Sequence, residues 1–307
     1  MIIDAHSHIF PKVQGLVGDG PTSGPGYGKI EVGGVATQLL PPYNERTEFT
    51  PEMLIANMAW AGVDRVILLQ GSFYGECDEF VAAAISHYPN QLAGAMYANP
   101  WRPEFRQLFE ERFDALGFVA AKIEFSLKTG LSGLYPEASL DDAEIAWLWK
   151  ALEERDKTLV LDLGTAGDPS YQTTGVRKIA ARHENLRIVI AHLGQPRPSV
   201  EADSDRWRMW QEQIDLALLP NVWFDTSSLP AFDAADDYPY PTAQRYLHLA
   251  ITRIGVAKIL WGTDQPGLLR SANYPQLLAA TRHHIASLEA SEQRAILGGN
   301  ALVAYGL

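Results

Sequence analysis

Met1-Ile-Ile-Asp-Ala-His6-Ser-His8-Ile-Phe10 opens the chain, and the way this stretch is read decides the fold. The short apolar run over residues 2–7 predicts a strand, with two histidines one residue apart at its carboxyl end. Side chains at i and i+2 of a strand leave the same face, so His6 and His8 can share one divalent cation, for which imidazole is the commonest protein ligand. Two unliganded surface histidines would look the same in isolation. The pair gains weight only if the rest of the chain builds a scaffold that gathers strand ends at one mouth.

Short β-rich runs recur at residues 65–70, 92–98, 118–124, 158–163, 187–191, 222–226 and 258–261. Amphipathic stretches alternate with them at 51–61, 77–87, 103–116, 141–155, 171–183, 206–219, 242–254 and 274–288. Thr50 before Pro51 is an N-cap followed by proline at the first helical position, and Ser139 precedes Asp141 and Asp142 where negative charge suits a helix start. Strand then helix, eight times, with strands apolar on both faces, predicts a single (β/α)8 barrel domain spanning residues 1–307. A long Gly- and Pro-rich insertion at 11–50 follows the first strand, and an extra helix at 291–305 closes the chain. A doubly wound sheet would require a Gly-rich turn directly after a strand, whereas Gly24, Gly26 and Gly28 lie inside the insertion. That insertion is expected to be either a flexible surface loop or a wall of the substrate pocket. The acidic stretch 229–241, with Asp233, Asp236 and Asp237, reads as a solvated loop.

Of 307 residues, 47% are hydrophobic and 20% charged, the proportions of an ordinary globule with a sizeable core. The net charge of −12 argues against nucleic acid or an anionic membrane as partner, and leaves a small-molecule substrate, with self-association possible. One cysteine, Cys77, allows no intrachain disulfide; with no leader-like segment and no spanning run, a cytoplasmic protein is expected. Cys77 has no base near it in sequence, and the tryptophans at helical spacing read as packing.

In a barrel, the polar residues at the strand ends converge. Here they are His6 and His8, Gln70, Asn99, Lys122 and Glu124, Asp162, His192, Asp225 to Ser227, and Thr263 with Asp264. A catalytic metal takes three or four protein ligands and keeps one position open. His6 and His8 can supply nitrogen, and Asp264 or Asp162 oxygen. Asp264 is the expected proton acceptor from the attacking water, and His192 can support an oxyanion or complete the metal shell. Arg102, Arg197, Arg208 and Arg270 lie on the same side, and one or two of them can clamp a substrate carboxylate.

His6-Ser-His8, Ala-His192-Leu-Gly, Phe-Asp225-Thr-Ser and Gly-Thr-Asp264-Gln-Pro, each after its strand, together with the closing Ile-Leu-Gly-Gly-Asn300-Ala, resemble the amidohydrolase superfamily over the whole chain. The branch resembled is the amidohydrolase-related (amidohydrolase 2) group of lactonases, other hydrolases and nonoxidative decarboxylases similar to aminocarboxymuconate-semialdehyde decarboxylase. The resemblance implies one divalent metal, zinc first with manganese or iron as alternatives, held by His6, His8 and Asp264 with His192 beside it. The family usually has a metal-binding histidine at the end of strand five, where this chain has Asp162. Asp162 either ligates in its place or supports the site from behind. Lys122 and Glu124 are expected to touch substrate, a binuclear centre bridged by Lys122 being disfavoured without that histidine. The expected activity is metal-dependent hydrolysis of a small carboxylate-bearing lactone, amide or similar bond, or else nonoxidative decarboxylation of an aromatic or enoic acid. A degenerate, non-enzymatic barrel is the third reading.

Overall fold

The computed structural model describes all 307 residues. Eight parallel strands follow one another around the sheet in chain order: β1 (Ile3–Ser7), β2 (Arg65–Leu69), β3 (Leu92–Tyr97), β4 (Ala120–Glu124), β5 (Thr158–Asp162), β6 (Arg187–Ile190), β7 (Val222–Asp225) and β8 (Ile259–Leu260). Backbone bonds from Ala5 N–H to Trp261 O at 2.8 Å, Asp264 N–H to His6 O at 2.8 Å and His8 N–H to Gln265 O at 2.7 Å join the last strand to the first. The expected (β/α)8 barrel is therefore present.

Strand alternation sorts each strand into an outer and an inner column. Ala121, Ile123 and Phe125 of the fourth strand segment and Leu159, Leu161 and Leu163 of the fifth join the large core under the helices. Their neighbours Ala120 and Val160, with Ile3, Ala5, Ile67, Leu69, Ala93, Ala95, Val189, Trp223 and Leu260, fill the barrel's amino-terminal end. The same inner columns end in Lys122, Glu124, Asp162 and Asp225. The interior is thus apolar below and ionisable above.

The first strand breaks this rule in an informative way. Ile3 and Ala5 face inward, so simple alternation would send His6 and His8 outward with Asp4. The pairing of β1 with β2 instead slips between Asp4 and Ser7, three residues on one strand opposing two on the other. This bulge carries both imidazoles to the inner face, the re-aiming that bulges beside functional sites perform.

Three expectations change. The insertion is an antiparallel sheet of four short strands, Leu16–Val17, Gly20–Gly26, Lys29–Val32 and Val35–Gln38, rather than an irregular loop. Its glycines permit this: Gly33 and Gly34, at φ 54° and 85°, form the two-residue turn between paired Val32 and Val35, a connection that requires left-handed backbone. The fourth helix begins at Ala146, because 139–145 is spent in turns held by Ser139 and Asp142 side chains. The closing helix is broken into Ala290–Arg294 and Asn300–Tyr305, since Gly298 passes so close to the amino-terminus that a Cβ there would lie 2.6 Å from Met1 O. The last piece plugs the barrel floor with Ala301, Ala304 and Tyr305. The helix Pro51–Ala61 follows its signals, with Thr50 accepting from Met53 N–H and Gly62 ending it in left-handed conformation. No helix is long and apolar enough to cross a membrane.

Candidate active site

The ends of the inner columns surround a cavity of about 240 Å³, lined by His8, Lys122, Glu124, Asp162, His192, Ser228, Asp264 and Arg270 among others. His6 lies beneath it, fully buried. Its Nδ1 sits 3.0 Å from Asp225 Oδ2 and its Nε2 3.8 Å from Asp264 Oδ1. His8 Nε2 is 2.8 Å from Asp264 Oδ1. His6 Nε2, His8 Nε2 and Asp264 Oδ1 belong to a group whose potential metal-binding atoms all lie within 4.8 Å of one another.

A second group, His6, His192 and Asp225, meets the same distance criterion, but its atoms are already engaged. Asp225 Oδ2 takes His6 Nδ1, and Oδ1 accepts from the backbone N–H of His192 and of Ser227, each at 3.0 Å. This is a hydrogen-bonded frame, not a seat for an ion. It fixes the His6 tautomer: the Asp225 carboxylate calls for a proton on Nδ1, leaving the lone pair on Nε2. Ser227 Oγ stands between His6 Nδ1 at 3.0 Å and His192 Nδ1 at 2.7 Å.

His8 supplies the test of whether a cation fits. Its Nδ1 is buried with no hydrogen-bond partner. With the proton on Nδ1, the Nε2 lone pair faces a carboxylate oxygen at 2.8 Å, a repulsion that only a cation between them relieves. With the proton on Nε2, Nδ1 is an unsatisfied buried acceptor, which costs about 1–3 kcal/mol. Two imidazole nitrogens and one carboxylate oxygen also make the donor set of an open, catalytic-type metal site.

The electrostatics split the mouth into two halves. Burial pushes His6 down to about 4, against the raising pull of Asp225, and burial likewise lowers His8, so both are neutral imidazoles. Burial alone would lower His192 too, but the Asp162 carboxylate 3.2 Å from its Nε2, then Asp264 and Asp225, push it up to about 9. Asp162 in turn is held well below the carboxylate range: burial opposes this, and the His192 charge and hydrogen bond outweigh it. Glu124 is raised to about 8 by burial and by the neighbouring Asp162 charge. Asp264 is kept ionised, burial notwithstanding, by its hydrogen bond to His8 and the nearby positive charge of His192.

Backbone strain concentrates here. His192 (φ 61°), Ser228 (φ 61°) and Asp264 (φ 65°) all line the cavity with left-handed backbone, a conformation that non-glycine residues hold only where surrounding bonds impose it. Ser228 Oγ donates to Asp264 Oδ2.

Of the residues singled out by sequence, His6, His8, Lys122, Glu124, Asp162, His192 and Asp264 come together at one mouth. Asp162 joins His192 and stands outside the group formed by His6, His8 and Asp264. Gln70 is buried behind the wall, donating to Ile9 O, and Asn99 lines a separate cavity with Tyr135. Thr263 donates to Asp4 beneath the site. Among the four arginines only Arg270 lines the mouth: Arg102 pairs with Glu76 and Glu104, Arg208 with Asp205 and Glu212, and Arg197 lies over the Phe232 ring. Burial holds the Cys77 thiol up at about 12, which leaves no nucleophile. The stretch 229–241 is more than solvated loop, since Ala231 lines the cavity and Tyr240 is buried. Ile30 and Leu39 of the insertion are on the cavity wall, as the second expectation for that segment had it. Sequence reading missed the anchoring work of Asp225, Ser227 and Ser228. The Asp-Thr-Ser-Ser run after an apolar strand was the available signal.

A family model described as amidohydrolase matches residues 3–307. The chain belongs to the amidohydrolase family. Among curated proteins it is similar to an L-fucono-1,5-lactonase of Burkholderia multivorans, 27% identical over 183 residues that cover 55% of this chain. The match spans 58% of that lactonase, less than two thirds of its length. Among solved structures, a probable 2-pyrone-4,6-dicarboxylic acid hydrolase of Acinetobacter baumannii with bound citric acid superposes with a TM-score of 0.73 at 20% identity, covering 100% of this chain and 99% of that one. An amidohydrolase of Burkholderia multivorans with bound zinc gives the same TM-score, identity and coverage. At these identities the structural likenesses speak for the fold. The family assignment rests on the matched model.

Proposed function

We propose that this amidohydrolase-family member is a metal-dependent hydrolase of a small, carboxylate-bearing lactone or related acyl compound. One observation carries the reading: His6, His8 and Asp264 present two nitrogens and one oxygen toward one another at the floor of a small cavity that His192, paired with Asp162, also lines. His6 Nε2, His8 Nε2 and Asp264 Oδ1 would hold one divalent ion, zinc being the first choice for this donor set and manganese or iron also compatible. When bound, the ion supplies Lewis acidity toward a carbonyl oxygen and acidity to water.

The chain's own groups supply the rest. Asp264, ionised, takes the proton of the attacking water while Ser228 steadies its second oxygen. Water's oxygen bonds to the acyl carbon, the carbon–oxygen bond to the leaving group breaks, and the departing oxygen needs a proton. His192, held as an imidazolium by Asp162, stands at the cavity wall to give one or to steady the oxyanion first. In this account Asp162 acts through His192 and is not a metal ligand. Arg270 at the mouth, with Lys122 deeper in, favours an anionic substrate. The lactonase relative and the zinc-bound neighbour support the reaction class and the metal.

The test is a panel of sugar lactones and carboxylated lactones given to metal-stripped and zinc-reconstituted protein, with acid release followed by indicator. Hydrolysis that needs the metal and prefers carboxylated lactones is expected. No hydrolysis of any member by zinc-loaded protein overturns the proposal. Carbon dioxide release from a carboxylated aromatic without water addition would assign the site to decarboxylation instead.

A further inference from the structure

Lys122 is 1% exposed, one of the largest fully buried side chains in the molecule. Its Nζ lies 3.3 Å from Glu124 Oε2 and 3.3 Å from His6 Nε2. The second distance is the informative one. With the His6 Nδ1 proton directed to Asp225, Nε2 has a single lone pair, and it faces the ammonium. That lone pair is the one a metal ion at His6, His8 and Asp264 would need.

We infer that the Lys122 ammonium is an internal competitor for the cation site, taking the His6 Nε2 lone pair in metal-free protein and yielding it when a divalent ion binds. This rests on the reading that His6, His8 and Asp264 form that site. Two observations give it content. Asp264 and Asp225 flank His6, so metal-free protein has buried carboxylates with a nearby positive charge to offset them, and Lys122 supplies it. Glu124 remains as a second partner of Nζ, so the ammonium can turn from the imidazole without losing all its bonds. The consequence is a site whose metal affinity is held below what its ligands alone would give. Repulsion between a divalent ion and a buried ammonium at this range is large enough to matter even at a high effective dielectric.

The sign of the effect makes the test sharp. Loss of a merely structural lysine weakens metal binding, whereas removal of an ammonium that opposes the ion tightens it, and the Nζ resonance below reports whether that ammonium leaves His6 when the ion binds. Zinc alone is titrated calorimetrically into metal-stripped wild type, Lys122→Met and the double variant His6→Ala/His8→Ala. Lys122→Met is expected to bind zinc roughly tenfold or more tightly than wild type. Folded Lys122→Met that binds equally or more weakly overturns the inference alone. Wild type that binds no zinc, or binds it equally well without the two histidines, overturns the underlying reading and the inference with it. A wild-type measurement covers the case in which Lys122→Met does not fold. The slowly exchanging Nζ resonance of the buried ammonium is followed by nitrogen NMR, with Lys122→Gln for its assignment where that variant folds. It should shift on zinc saturation, and a buried-ammonium spectrum unchanged by zinc overturns the competition.

Discussion

The two ends of the barrel interior are built from the same strands and the same alternate positions, yet they are made of opposite material. Below, Ile67, Leu69, Ala93, Ala95, Val160 and Val189 pack on one another and on Tyr305 of the closing helix, with no charge among them. Above, two residues further along the fourth, fifth and seventh columns, stand Lys122, Asp162 and Asp225. A buried ionisable group costs free energy unless it is paired, and the mouth pairs nearly all of its own: Asp225 with His6, Asp162 with His192, Asp264 with His8, Lys122 with Glu124. The lower half adds apolar burial to that of the larger core under the helices, and the upper half is tolerable because both exist.

Substitutions that separate the halves should show the division most clearly. Asp264→Asn keeps the shape and the left-handed backbone, which asparagine tolerates, while removing the proton acceptor and one proposed ligand oxygen. Turnover should fall by about 10³-fold or more, with the thermal midpoint changed little. Turnover within a factor of ten of wild type, measured on the best lactone of the panel, would remove Asp264 from the mechanism. At the other end, Ile67→Ala opens a cavity among fully buried neighbours and should cost about 3 kcal/mol of stability while kcat stays near wild type in the folded protein. Urea melts and steady-state kinetics on both variants would break the comparison if either variant moved the other's observable.

A carboxylate outside the mouth sharpens the point about pairing. Asp78 starts the helix Asp78–His87 on the wall of the separate cavity of about 450 Å³, half-buried, and burial raises it to about 7, with Glu76 and Glu79 adding to the rise against the Tyr97 N–H and Arg112. Its folded form therefore binds a proton more tightly than the unfolded chain does. Between about pH 4 and pH 7 the native state carries the extra proton, so stability declines as pH rises through that window. Asp78→Asn removes this slope. At pH 8 it should be more stable than wild type by on the order of 1–3 kcal/mol, with the gain shrinking toward pH 4. Parallel pH–melting curves for the two proteins would show that Asp78 does not titrate in this way.

Much of this organisation was legible in the amino-acid order, for identifiable reasons. Strands buried on both faces give unbroken apolar runs, so eight of them alternating with amphipathic stretches announce a closed parallel barrel. Ionisable residues directly after such runs have nowhere to go but the mouth. The bulge in the first strand leaves no such trace: one extra residue between Asp4 and Ser7 changes the facing of His6 without changing composition, so the i, i+2 spacing of His6 and His8 predicts their shared face but not that the strand's other inward residues, Ile3 and Ala5, have opposite parity. The insertion hid its sheet because glycine and proline depress every strand signal, although Gly33-Gly34 between Val32 and Val35 was a hairpin cue. The choice of Asp162 as ligand or support could not be made from sequence, because it depends on which imidazole the carboxylate meets. In the folded chain that partner is His192. Asp225 and the two serines after it act through backbone and tautomer, and spacing carries no mark of such work.

The smallest effect expected concerns the part of the mouth that the barrel does not supply. Ile30 and Leu39 reach the cavity from the antiparallel insertion and share its apolar lining with Phe73, Tyr74, Ala231 and Leu268. Both side chains are hydrocarbon, so neither can move a proton or hold an ion in the chemical step. Leu39→Ala removes part of a half-buried wall and should raise KM by about three- to tenfold, the worth of roughly 1 kcal/mol of apolar contact with substrate, while leaving kcat unchanged. A fall in kcat at unchanged KM would mean instead that the insertion orders the catalytic groups themselves. The mouth would then not be a barrel property with a wall added to it, and the division between a stabilising lower half and a reactive upper half would have to include this third element.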